Sequence, residues 1–278
     1  MFTVNAVMSI TSHSRRFDHL SWPNASDAAR TPGATLIWPF GACEQHGPHL
    51  PLATDNIFSE KIIESVLKEL PEEFPIWMLP SQLMGFSPEH QSFKGTISLS
   101  ANLLLKLVKE VGGDIAGMGF RRLVLFNSHG GQIGLLQSAA RELRLLCPQM
   151  AVLPCFLWSG VNSLETVIPQ EEIISGLHAG LAETSLMLSI DPELVGVERP
   201  VDGDHISFDS LATPPEGWTM EGHAPCAWLT SDISKTGVIG DSRASSVDVG
   251  NLIEETLISH WKTLFTSLMN SSWPPVSD

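Results

Sequence analysis

The sequence predicts an α/β chain: a mostly parallel central sheet covered by helices on both faces, a three-layer α/β/α sandwich. Three observations predict it. Short apolar runs bounded by Gly, Pro or polar residues recur along the chain and read as strands buried on both faces. Longer segments with apolar residues at helical spacing alternate with them. The two densest polar clusters follow the first and third of these runs, where open α/β sheets place their ligand sites.

The elements follow in order. Residues 1–19 read as a loose tail, polar and Ser-rich up to Arg16, with order beginning near Leu20-Ser21-Trp22-Pro23. Residues 34–40 (ATLIWPF) are a first buried strand, closed by Gly41. Residues 56–70 carry Ile57, Ile62, Ile63, Val66, Leu67 and Leu70 near helical spacing, with Asp55 as an N-cap. Residues 76–79 are a second strand. Residues 100–118 are an apolar helix, capped by Ser100 and loosened at Gly112-Gly113. Residues 122–127 (RLVLFN) are a third strand, 134–146 a helix closed by Pro148, and 151–157 a fourth strand. Residues 179–190 and 251–269 are the last helices. The final one carries an apolar stripe of Ile253, Leu257, Trp261, Leu264, Phe265 and Leu268. No linker divides the chain, so 20–278 reads as one domain. The stretch 200–236, rich in Gly and Pro, reads as a long functional loop.

Composition narrows the function. The chain has 278 residues, 43% hydrophobic and 17% charged, which excludes a disordered or fibrous protein. Sixteen Lys+Arg against 31 Asp+Glu give a net charge of −15, a poor match for nucleic acid or anionic membrane. A small-molecule substrate is the better partner. Cys43, Cys147, Cys155 and Cys226 form no CxxC pair and read as free thiols. No apolar signal segment precedes Arg15 and Arg16, and no run reaches the ~20 apolar residues of a spanning helix. These features predict a cytoplasmic protein.

The chemistry concentrates in three places. Glu44-Gln45-His46-Gly47-Pro48-His49, followed by Thr54-Asp55, comes directly after the first strand. Glu44 and His46 are two apart, so an extended segment points both to one side. Two carboxylates and an imidazole suit a divalent cation: Zn, Mn or Fe. Asn127-Ser128-His129-Gly130-Gly131-Gln132 follows the third strand, at the same sheet edge. A phosphate cradle at Gly130-Gly131 is the competing reading, without the Lys-Ser/Thr of a P-loop. Third, Glu183 lies on an otherwise apolar helix, where burial demands a partner or a metal, unless it faces solvent. His178 belongs to the loop before it. Glu89 and His90 either line the pocket or pair with each other. Residues 237–241 (GVIGD) are a further lining candidate. His13, His19, His205, His223 and His260 carry no functional expectation, with His260 on the solvent side of the last helix. Cys43 reads as a small buried thiol.

Together these motifs resemble the creatininase (creatinine amidohydrolase) family, in the same order and over nearly the whole chain. Trp22-Pro23, Gly85-Phe86-Ser87-Pro88-Glu89-His90 and Gly237-Val238-Ile239-Gly240-Asp241 add to the resemblance. It implies a homohexameric two-metal hydrolase acting on small or non-peptide C–N bonds. It implies Asp55 bridging two ions, Glu44 and His129 on one, and His46 on the other. Creatininases proper carry a Glu where this chain has Gly131, so the chain is similar to a Gly-Gly subgroup in which Glu183 would complete the second ion. Gln132 stands where Asn is usual. The subgroup includes deformylase-like enzymes of flavin-type cofactor synthesis and a protease that trims a modified peptide. The expected activity is hydrolysis of a cyclic amide, formamide or similar small substrate. His178 would protonate the leaving nitrogen with Glu183 as catalytic partner, and Glu89, His90, Gly130 and Gly131 would contact substrate. The alternatives are a family member that trims a modified peptide, an inactive metal- or ligand-binding oligomer, and a structural oligomer.

Overall fold

The computed structural model describes residues 15–203, 216–222 and 224–275. Its centre is a four-stranded, wholly parallel sheet in the order β2-β1-β3-β4. The strands are β1 (Thr35–Phe40), β2 (Ile76–Met78), β3 (Arg122–Asn127) and β4 (Ala151–Phe156). β1 and β3 pair in register from Thr35↔Arg122 to Phe40↔Asn127. Both are buried along their whole length, which is why they read as unbroken apolar runs.

Side chains alternate across that sheet. Leu36, Trp38, Phe40, Leu123 and Leu125 face one core, against α1 (Trp22–Arg30), α3 (Ala101–Met118) and α4 (Ile133–Leu146). Ile37, Val124 and Phe126 face the other, against α2 (Thr54–Glu69), α6 (Leu181–Ile190) and α8 (Val247–Met269). Three layers follow from this period of two. The remaining elements are α5 (Gln170–Ser175), α7 (Thr230–Ile233) and the antiparallel pair β5 (Val201–Asp202) and β6 (Gly240–Asp241).

Several expectations shift. Order reaches back to Arg15, whose carbonyl accepts from the Met78 amide beside β2. The rest of the expected tail lies outside the described residues. Helix α1 is unannounced by the sequence because its apolar content is slight: only Ala28 and Ala29 are buried in it. Asp55 is not the cap of α2. Ala53 holds that place, and Asp55 sits in the first turn with its carboxylate turned elsewhere. Ser100 does cap α3, its hydroxyl accepting from the Leu103 amide. Helix α3 is not loosened at Gly112: the helix continues to Met118, and Gly112 is where Leu143 of α4 packs close. Of the stretch 200–236, residues 204–215 and 223 lie outside the described residues, including His205 and His223. His260 is half-buried beside Trp261 rather than on the solvent side. Among the described residues no helix is long and apolar enough to cross a membrane.

Candidate metal centre

The site lies at the carboxyl ends of β1 and β3, the edge that both polar clusters share. The chain after β1 is pinned by two contacts: the Glu44 amide donates to Leu52, and the Ile97 amide donates to Cys43. Ser128, just after β3, donates its hydroxyl to the carbonyl of Asp55 at 2.7 Å. That bond ties the first turn of α2 to the end of the sheet. Glu44, His46, Asp55, His129 and His178 are all buried there.

Glu44 is the hub. Its Oε1 lies 3.1 Å from Nδ1 of His129, 3.6 Å from Nε2 of His90, 3.8 Å from Nε2 of His46 and 4.0 Å from Nδ1 of His178. Its other oxygen accepts from the Ser87 hydroxyl. Asp55 stands between two imidazoles, 3.5 Å from Nε2 of His46 and 3.6 Å from Nδ1 of His129. Glu183 completes this side: His46, Asp55 and Glu183 each offer a donor atom within 4.8 Å of the others. So do Glu44, His46 and His178, and so do Glu44, Glu89 and His129. Glu183 therefore turns inward rather than to solvent, with its carboxylate also accepting from the Ala179 amide.

Three histidines are held alike. Nδ1 of His46 donates to the Glu44 carbonyl at 3.2 Å, Nε2 of His129 to the Phe86 carbonyl at 3.0 Å, and Nε2 of His178 to the Gln45 carbonyl at 2.7 Å. Each ring rests one nitrogen on the backbone and turns the other toward the carboxylates, as metal-ligating histidines do.

Protonation follows from the crowding. Burial alone would raise the Glu44 carboxyl, but the charges of His129, His90 and His46 hold it well below the usual range. Burial pulls His46 down, yet Asp55, then Glu183 and Glu44, lift it to about 9. His129 is likewise lifted well above its usual value, against burial, chiefly by Glu44. Burial and the charge of Glu44 raise the Asp55 carboxyl. His178, stacked between His46 and His90 at 4.2 and 4.1 Å, is pushed well down by burial.

The geometry fits a cation. Glu44 Oε1, His46 Nε2 and Asp55 Oδ2 are buried with no hydrogen-bond partner. Buried polar atoms are rarely left so, and these three carry the lone pairs that divalent ions take.

The expected site residues divide as follows. Glu44, His46, Asp55, His129 and Glu183 converge. His178 joins them with Nδ1 4.0 Å from Oε1 of Glu44, and its Nε2 hydrogen is committed to the Gln45 carbonyl. Glu89 and His90 do not pair with each other. Glu89 is 3.2 Å from Nε2 of His129, and His90 is held by Thr230 and Gln45. Gly130 and Gly131 line the cleft. His49 turns away to Thr184, at 2.8 Å. The 237–241 stretch supports rather than lines: Gly237 accepts from Gln45, and His178 pairs with Ile239. Gln132 bridges Gly41, Asn127 and Phe86. Cys43 is half-buried, its thiol raised by burial and by Glu44.

Above this floor opens a cleft of about 460 Å³. One wall is apolar, with Phe156, Trp158, Ile168 and Ile173, and Trp228 stands opposite beside His90. Glu172 is also there, buried in the wall, its carboxyl raised by that burial to about 7. It accepts from the Ala182 amide at 3.2 Å. Nothing in the composition of residues 156–173 marks this wall in the sequence.

Comparison with known proteins agrees with this geometry. Residues 18–265 match the family model described as "Creatininase: Creatinine amidohydrolase". The chain is 35% identical over 237 residues to the mycofactocin precursor peptide peptidase of Mycobacterium ulcerans, covering 83% of this chain and 88% of that one. It is 30% identical over 256 residues to the protein of the same name from Mycobacterium tuberculosis, covering 89% and 92%. Among solved structures, "Creatininase Mn" superposes with a TM-score of 0.74 at 23% identity, over 93% of this chain and 100% of that one, a likeness of fold. The chain belongs to the creatininase family.

Proposed function

We propose that this protein is a metal-dependent hydrolase that cleaves an amide C–N bond at the end of a modified peptide. The sequence placed a small cyclic amide or formamide first and a modified peptide second. The relatives at 30–35% identity, both named as precursor peptide peptidases, reverse that order. The observation that carries the hydrolase reading is the convergence of Glu44, His46, Asp55, His129 and Glu183 on one buried floor with unpartnered donor atoms. The cleft supports the peptide reading, because about 460 Å³ falls within the range of pockets that take drug-sized ligands, about 300–1,000 Å³.

The residues divide into two overlapping centres. Glu44 and His129 serve one, His46 and Glu183 the other, and Asp55 faces both. Two divalent cations held there, Zn, Mn or Fe, would supply a water activated near neutral pH and positive charge beside the substrate carbonyl. The chain's own groups do the rest. Glu183 serves on that floor as an ionised ligand, and the proton that the attacking water gives up is the one the departing nitrogen takes. His178 stays neutral and completes the donor set around Glu44. The apolar wall excludes water and seats the apolar part of the substrate.

The test is direct. The Zn- and Mn-loaded protein is incubated with modified mycofactocin precursor peptide, its unmodified counterpart, creatinine and N-formyl amines, with products read by mass spectrometry. Cleavage of the modified peptide alone is the expected result. Turnover of only creatinine or the formyl amines would overturn the peptide reading, and no turnover in any arm would overturn the hydrolase.

A further inference from the structure

Glu89 is not needed by the two centres just described, yet it sits against one of their histidines. Its Oε1 is 3.2 Å from Nε2 of His129, and its side chain is nearly buried, at 13% exposure. The same nitrogen is 3.0 Å from the carbonyl of Phe86. A carbonyl can only accept, so Nε2 carries the hydrogen. Nδ1, on the far side of the ring, then faces Glu44 and Asp55, at 3.1 and 3.6 Å, and offers its lone pair to an ion once it sheds its proton.

The space for that carboxylate comes from Gly131. A Cβ placed there would lie 1.8 Å from Oε1 of Glu89 and 2.7 Å from Nε2 of His129. No side-chain shift short of moving Glu89 away relieves the first distance. A side chain at 131 and a carboxylate behind His129 exclude each other in this arrangement. The missing side chain at Gly131 is thus half of a device whose other half is Glu89.

We propose that Glu89 is a positioning residue: seated in the room left by Gly131, it fixes the ring and tautomer of His129 so that Nδ1 faces the metal centre. The proposal rests on the metal reading above. A carboxylate behind an imidazole raises the basicity of the ligating nitrogen and removes the entropy of a swinging ring, and such partners are worth about 10–100-fold in metal affinity. This differs from direct ligation, which the closeness of Glu44, Glu89 and His129 also allows, and from the substrate contact expected from the sequence. The three predict different measurements.

The experiment titrates Zn(II) into metal-stripped protein by calorimetry and records the imidazole ¹⁵N spectrum. It uses wild type, Glu89→Gln, Glu89→Ala, Gly131→Ala and the double variant Glu89→Ala/Gly131→Ala, each first checked for an intact thermal transition. Wild type takes two ions. Glu89→Ala still takes two, one of them about 10–100-fold more weakly, and the ¹⁵N signal of His129 Nε2, left with the Phe86 carbonyl alone, shifts. Glu89→Gln, whose amide oxygen still faces Nε2, recovers most of the loss. Gly131→Ala behaves like Glu89→Ala, and the double variant is no worse than either, because both remove one interaction. Unchanged affinity and an unshifted His129 ¹⁵N signal in Glu89→Ala would overturn the proposal in favour of a substrate contact. Outright loss of one ion in Glu89→Gln would overturn it in favour of direct ligation. No ion in wild type would overturn the metal reading itself, a result distinct from both.

Discussion

Nδ1 of His129 and Oε1 of Glu44 meet at 3.1 Å across the gap between the ends of β1 and β3. Two segments far apart in sequence are neighbours in the sheet, and each delivers one charged group to the same point. That contact is the pivot of the site. Asp55, 3.6 Å from the same Nδ1, links it to His46.

Asp55→Asn removes the charge shared by the two halves while keeping the shape. The variant is expected to fold, to bind fewer ions than wild type, and to lose turnover with them. Elemental analysis of metal per chain, on protein purified without added metal, checks this. A variant with wild-type metal content would show that Asp55 holds no ion.

The metal-free chain should respond to pH in a definite direction. His46 has a folded pKa of about 9 against an ordinary 6.5, and His129 is raised too. A histidine raised on folding contributes stability that is whole below 6.5 and lost as pH climbs through the folded value. The melting temperature of metal-stripped protein should therefore fall between pH 7 and 9. Metal competes for the same nitrogens, so its affinity should rise over that window and binding should release protons. Calorimetry in buffers of different ionisation enthalpy counts them.

The apolar wall can be tested without touching the floor. Ile173 lines the cleft yet is 40% exposed, so changing it costs little stability. Ile173→Asn should raise KM by about tenfold, the worth of roughly half to all of a buried Ile side chain. Metal content and kcat should stay as in wild type. Steady-state kinetics on the cleaved substrate decide it, and an unchanged KM would place the substrate elsewhere.

Helix packing on the opposite face offers a stability test. A Cβ at Gly112 would lie 2.2 Å from a methyl carbon of Leu143. Gly112→Ala should destabilise the fold by about 1–3 kcal/mol through overpacking, despite the better helix propensity of Ala. Urea unfolding of both proteins measures the difference.

Much of this architecture was legible because it depends on local pattern. β1 and β3 are buried on both faces, so their interiors are apolar, and polar Thr35, Arg122 and Asn127 stand only at their ends. Glu44, His46, Asp55 and His129 stood out because each follows a strand or opens a helix at one sheet edge. The rest depends on what folding brings together. Nothing near Glu89 in sequence says that it will face His129, or that Gly131 will make room for it. Asp55 looked like a cap because capping and ligation use the same residue at the same helix end. His178 looked like a proton donor until its Nε2 was found spent on Gln45. The cleft wall comes from segments with ordinary composition, and only their arrangement makes them a wall.

Helix α6 begins at Gly180, which has no side chain to cap it, and Glu172 of α5 supplies the missing acceptor to Ala182. A helix whose start is completed by another element has no independent local stability at that end. One carboxylate therefore ties the first turn of α6 to the cleft wall. The same turn carries Glu183, so Glu172 braces the metal floor from the wall of the cleft.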